Sequence, residues 1–239
     1  MSFRISRSIA LAAFPLGALL PLTAVAQGHD DKLAERAQRA GEIIAELVRE
    51  PDHAPPESLL RNATCVAAVP NMLQAGMGVG GKVGFGLASC RTATGWSLPT
   101  FMALKGGTFG FQIGGQSADV VLVFLNKNAP RVIASSSFDL GGQAAVAAGP
   151  VGRNLSAETD YKLSAEIYSY SRSKGLFAGV TLSGTKWEID SKANRAVYQK
   201  ATDVDVQALL TTNGTQGPDL VQPFLASLRQ NVGPQGGAE

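Results

Sequence analysis

Apolar residues recur at two different periods along this chain. Between His29 and Glu50 they fall at Leu33, Ala37, Ala40, Ile44 and Leu47, the spacing of an amphipathic helix. Asp30 and Asp31 can cap it and Pro51 stops it. Glu57 to Ala63 predicts a short helix behind Pro55-Pro56. From Cys65 onward the period shortens to that of strands. Cys65 to Val69 is an apolar strand that ends at Pro70, and Lys82 to Arg91 a strand broken by glycines. Gly95 to Leu104 and Thr108 to Gly114 follow, with Pro99 marking an edge or bulge in the first. Ala118 to Leu125 is apolar on both alternating faces apart from Asp119, so it reads as a central strand buried on two sides.

The second half mixes the two periods. Lys127 to Ala134 is a short helix or turn, and Phe138 to Ala148 is small-residue-rich and open to either reading. Glu166 to Arg172 and Leu176 to Ile189 form a hairpin around the basic turn Arg172-Ser173-Lys174-Gly175. Asp190-Ser191 caps a helix that runs to Lys200, and Gln222 to Gln230 forms a last helix with Phe224, Leu225 and Leu228 on one face. The fold class is therefore α+β: a curved, mostly antiparallel, glycine-rich β core with peripheral helices.

The first 26 residues read as a leader, with Arg4 and Arg7 before an apolar stretch from Ile9 to Leu22 and a small-residue site at Ala24-Val25-Ala26. The expected location is the periplasm or the exterior of the cell. Without that segment, 19 of the 21 basic residues remain against 19 acidic ones, so the processed chain is formally neutral. That balance gives no support to a nucleic-acid partner, which normally shows a basic face. Cys65 and Cys90 then lie in an oxidising compartment, either bridged or separately buried; a bridge would add about 3 kcal/mol.

Candidate catalytic chemistry is sparse. His29 and His53 both precede the strand-rich core, which removes Ser-His-Asp and Cys-His arrangements there. Gly76, Gly78 and Gly81 satisfy G-x-G-x-x-G but run on into a strand, not a helix, so they do not make a dinucleotide loop. Asp119 and Asp139 offer a carboxylate pair, against the commoner reading of an Asp bonded to turn backbone. No His, Cys or carboxylate grouping has zinc spacing. No enzymatic activity, cofactor or metal is expected.

Surfaces remain. Arg172 and Lys174 flank the turn that delivers Leu176 and Phe177, a basic-plus-apolar pairing suited to an anionic headgroup beside acyl chain. Phe177 has the alternative of filling the core. Arg153 sits in a Gly-Pro loop and adds a further cation. On the first helix Lys32, Arg36 and Arg39 form a stripe beside the apolar one. Six acids against four bases there leave two readings, a membrane-surface helix or a helix docked on its own domain.

Tyr168 to Gly184 (YSYSRSKGLFAGVTLSG) carries the strongest resemblance in the chain. With Gly95-Trp96-Ser97, Phe111-Gln112-Ile113-Gly114-Gly115, Asp119, Asn126, Gly141-Gly142, Ala147-Ala148-Gly149-Pro150, Gly152-Arg153, Asn194-Arg195 and Tyr198, it resembles the SYLF-domain family in order and spacing. The resemblance covers a SYLF-like domain over 59–200, which follows a leader over 1–26 and an N-terminal helix and linker over 27–58 and precedes a C-terminal extension over 201–239. It further implies a non-enzymatic phospholipid-binding protein of the bacterial envelope. Known members bind phosphoinositides and actin; export makes actin an implausible ligand and phosphoinositides doubtful. The alternative is an envelope scaffold that holds a protein partner through the same surface.

Overall fold

A computed structural model describes residues 23–50, 52–152, 165–173, 175–180, 182 and 184–233. The expected leader, 1–26, lies outside these residues up to position 22, and helix α1 (Thr23–Arg49) takes in its last four positions. Two strands dominate the fold: β1 (Cys65–Thr92) and β3 (Thr100–Phe124). They pair antiparallel from Cys65 opposite Phe124 to Ala88 opposite Thr100. A straight strand from Cys65 to Cys90 would span roughly 80 Å. Their Cα atoms are 3.9 Å apart, joined by a disulfide. The ribbon is therefore bent back on itself, and its two ends meet. Glycines permit the close approach: a Cβ on Gly86 would lie 2.2 Å from the Ala68 carbonyl oxygen, and one on Gly76 would lie 2.5 Å from the Gly80 Cα.

The remaining strands build outward from β3. Its first half pairs with β8 (Thr185–Ile189), which in turn pairs with β4 (Ser137–Leu140). Its second half pairs with β6 (Ile167–Arg172), flanked by β7 (Phe177–Gly179) and, in parallel, by β5 (Val146–Ala148). The short β2 (Gly95–Trp96) closes on β1. Among the described residues the result is a curled, mostly antiparallel half-barrel sheet of eight strands.

Each face of the sheet has its own core. Val66, Ala68, Val121, Val123, Tyr168, Tyr170 and Phe177 pack under α1 and α6 (Gln222–Asn231). Cys65, Ala67, Val69, Val120, Leu122 and Phe124 face α3 (Ala129–Ala134), α5 (Val206–Thr211) and Trp187. Strict alternation between two apolar layers accounts for the two-sided hydrophobicity of Ala118 to Leu125. Helix α1 buries Leu33, Ala37, Ala40, Ile43, Ile44 and Leu47 in the first core. It is thus docked on its own domain, with its polar face left toward solvent. Helix α2 (Glu57–Arg61) lies where Pro55-Pro56 predicts it.

Helix α4 (Ser191–Val197) is capped by Asp190, whose side chain accepts from the Ala193 N–H. Its buried Asn194 accepts from the Phe101 N–H at 2.9 Å and donates to the Phe101 carbonyl at 3.0 Å and Thr100 Oγ1 at 3.1 Å. This pins the start of β3. Two departures from the sequence reading have physical causes. Pro70 does not end its strand, because it sits at a bulge between Val69 and Met72 where its missing N–H costs no ladder bond. The expected arm from Leu176 to Ile189 is two strands, β7 and β8, on different neighbours, with Gly184 at a φ of +70° between them.

Candidate functional site

One side of α1 faces the bent ribbon across a groove of about 490 Å³. Lys32, Glu35, Arg36, Arg39 and Glu42 line it from the helix at spacings of three and four, the periodicity of one helix face. Pro70, Asn71, Leu73, Val83, Gly84 and Phe85 line it from β1. Leu73 and Phe85 are exposed, so the groove has an apolar side and a charged side. The predicted stripe of Lys32, Arg36 and Arg39 is present as one wall.

The three cations are not equivalent. Arg36 donates to Asp190 Oδ2 at 3.0 Å and lies over the rings of Phe85 and Phe101, with its guanidinium carbon 5.1 and 5.8 Å from their centroids. Arg39 donates to Glu42, Glu46 and Asp119, each at 3.1 Å. Lys32 is exposed and, among the described residues, makes no ion pair.

Behind the groove Asp119 forms a hub. It accepts from Arg172 at 2.7 Å, from Arg39 at 3.1 Å and from the Asn71 N–H at 3.0 Å. Asn71 has a φ of +49° at the β1 bulge, so the carboxylate anchors strained turn backbone. Arg172 also donates to Glu46 and stacks on Phe177, with 4.9 Å from guanidinium carbon to ring centroid. Burial pulls the Arg39 and Arg172 guanidinium groups down, but hydrogen bonds and charges from Glu42, Glu46 and Asp119 outweigh it and raise both above their ordinary value. Both therefore stay cationic. Asp119 is committed to structure, and Asp139 lies exposed on β4.

The sequence-predicted turn surface lies only partly within the described residues. Arg153 and Lys174 lie outside the described residues. Arg172 is tied into the hub, Leu176 is exposed, and Phe177 is fully buried beneath Arg172, which settles it as a core residue. The structure instead joins the Lys32–Arg39 stripe to Leu73 and Phe85, two residues the sequence reading did not single out. Their signal is apolar side chains at odd positions of a glycine-rich strand. The Gly76, Gly78 and Gly81 triplet lies inside β1, with no helix N-terminus to hold a phosphate. A second recess is bounded by Arg91 and Trp96, but Arg91 donates to the carbonyls of Leu60, Ala63, Val232 and Gly233, so its cation is already satisfied.

Residues 105–231, which hold Asp119, Arg172, Phe177 and Asp190, match the model of the Ysc84 family, described as Las17-binding protein actin regulator. The chain belongs to this family. The SYLF resemblance read from the motifs is thereby borne out. Ysc84-family relatives include an SH3 domain-containing protein of Schizosaccharomyces pombe, 33% identical over 84% of this chain and 48% of its own length. The SH3 domain-containing YSC84-like protein 1 of Homo sapiens is 31% identical over 80% of this chain and 58% of its own. The LAS seventeen-binding protein 3 of Saccharomyces cerevisiae is 29% identical over 84% and 45%. The chain thus spans about half the length of these relatives.

Proposed function

We propose that this Ysc84-family chain is a non-enzymatic phospholipid-binding protein that acts outside the cytoplasm and takes the anionic part of a headgroup at the α1–β1 groove. One observation carries the reading: Lys32, exposed, lies in the same groove as the exposed apolar side chains of Leu73 and Phe85. A cation beside apolar surface matches the phosphate-to-acyl boundary of a phospholipid. Arg36 and Arg39 shape the wall, and their own carboxylate partners keep the local charge moderate. Arg153 and Lys174 enter as further headgroup contacts on sequence grounds alone, with Leu176 as an exposed apolar neighbour in sequence. Export is supported by the basic and apolar pattern of residues 4–26 and by the Cys65–Cys90 disulfide.

Liposome flotation of the protein with and without phosphatidylglycerol tests the reading. Flotation at low salt that falls as salt rises is expected, and Lys32→Glu should weaken it severalfold without lowering the melting temperature. Absence of flotation with any phospholipid would reject lipid binding.

A second reading has its own support. The family description and the name of the yeast relative refer to Las17 binding, so the same surface is a candidate for a protein partner, actin-associated proteins included. Crosslinking in intact cells separates the two. A single dominant protein adduct, together with failed flotation, favours the protein partner.

A further inference from the structure

The bend of the β1–β3 ribbon leaves several large apolar side chains exposed. Leu73, Ala75, Met77, Val79 and Gly81 are all exposed, alternating with the less exposed Gln74, Gly76 and Gly80. Leu73, Met77 and Val79 are 57, 76 and 67% accessible, an unusual display for large aliphatic residues clustered on one strand face. In the register, Ile113 is the Cα partner of Met77 and Phe109 that of Val79.

Charge along the same stretch has one sign. From Ser58 to Ala118 the chain contains no Asp or Glu, and its ionisable residues other than cysteines are Arg61, Lys82, Arg91 and Lys105. The nearest acidic residues of the groove, Glu35 and Glu42, stand on α1 and not on the ribbon.

We propose that the doubled-back tip of the β1–β3 ribbon is a bilayer-insertion element, with Leu73, Met77 and Val79 in the acyl region and Lys32 at the level of the phosphates. The proposal rests on the phospholipid reading and deepens it: the protein grips the surface of a bilayer and does not carry a single lipid in a closed cavity. Three features favour a lipid surface over a protein. The strands pair with each other on either side of the register shift between Met77 and Gly78, so part of the tip's backbone meets the bilayer with its hydrogen bonds already made. A tip without acidic residues adds no repulsion from an anionic leaflet. The described side chains of the tip include no Trp, Tyr or Arg, the residue types that anchor most protein interfaces.

The test uses the purified protein with its native disulfide and one added cysteine carrying an environment-sensitive fluorophore. The label is placed at Met77→Cys or, as a control, at exposed Thr202→Cys. With vesicles of phosphatidylethanolamine and phosphatidylglycerol, the Met77 probe should shift to the blue and be quenched by nitroxide-bearing acyl chains, while the Thr202 probe stays unchanged. The triple variant Leu73→Ser, Met77→Ser, Val79→Ser should lose at least about tenfold in vesicle partitioning. It should melt as the wild type does, because these side chains lie outside both cores. Flotation with no shift at Met77 overturns the insertion element and leaves phospholipid binding standing. Absence of wild-type flotation removes both. A blue shift without vesicles, accompanied by a doubled mass in sedimentation, assigns the tip to a second copy of the chain and overturns the proposal.

Discussion

Replacing Asp119 by Asn tests whether the hub behind the groove holds α1 to the sheet. The substitution keeps an acceptor for the Asn71 N–H but removes the charge facing Arg172 at 2.7 Å and Arg39 at 3.1 Å. An opposite-charge contact at about 4 Å is worth about 4 kcal/mol at an effective dielectric near 20, before desolvation is subtracted. Breaking a fully buried pair costs about 3–5 kcal/mol. Two facts reduce that range. Glu46 remains as a second partner for both guanidinium groups, and the Arg39 side chain is 30% exposed, so water screens it. The expected loss is about 2–3 kcal/mol. For a domain of this size that lowers the melting temperature by about 4–12 °C. Circular dichroism melts and urea titrations read it directly. Asp139→Asn, exposed on β4, is the control and should stay within about 0.5 kcal/mol of the wild type. Adding Glu46→Gln to Asp119→Asn should cost more than the two singles summed, because Glu46 is the remaining partner. A melting temperature for Asp119→Asn within about 2 °C of the wild type would refute the reasoning.

Two further outcomes follow from packing and titration. A Cβ at Gly149 would lie 2.1 Å from Cζ of Tyr170, so Gly149→Ala should destabilise by about 3 kcal/mol in urea titration; a neutral result would mean that the ring is free to move. Burial pushes the Tyr170 and Tyr198 phenols above their ordinary value of 10.0; Tyr168 adds to the Tyr170 shift, and the two hydroxyls donate to the carbonyls of Pro150 and Pro99. The unfolded chain then releases these protons first, so stability is complete below pH 10 and falls as pH rises above it. Tyr198→Phe should cost about 1 kcal/mol near neutrality and make that alkaline decline shallower; an unchanged slope counts against the argument.

Local signals carried much of this fold. The 3.6-residue spacing of α1, the Asp190 cap of α4 and the two-faced run before Leu125 depend on neighbours in sequence, and each lies where the pattern places it. What escaped was long-range. Pro70 reads as a terminator unless the bulge that shelters it is known, and β1 passes through it for 28 residues. The stripe of Lys32, Arg36 and Arg39 was legible, but not its opposite wall, because Leu73 and Phe85 reach α1 only after the ribbon bends. Arg172 read as a free cation because its partners stand 53 and 126 positions away, at Asp119 and Glu46. Sequence spacing has no access to such pairs.

The Cys65–Cys90 bond ties the two ends of one strand, which makes everything between them a covalent ring. A single peptide cleavage anywhere on that ring opens the loop without releasing a fragment. Nicked molecules therefore migrate as intact chains until a reductant is added, and one cut at the exposed tip leaves both halves of the ribbon held by the half-barrel.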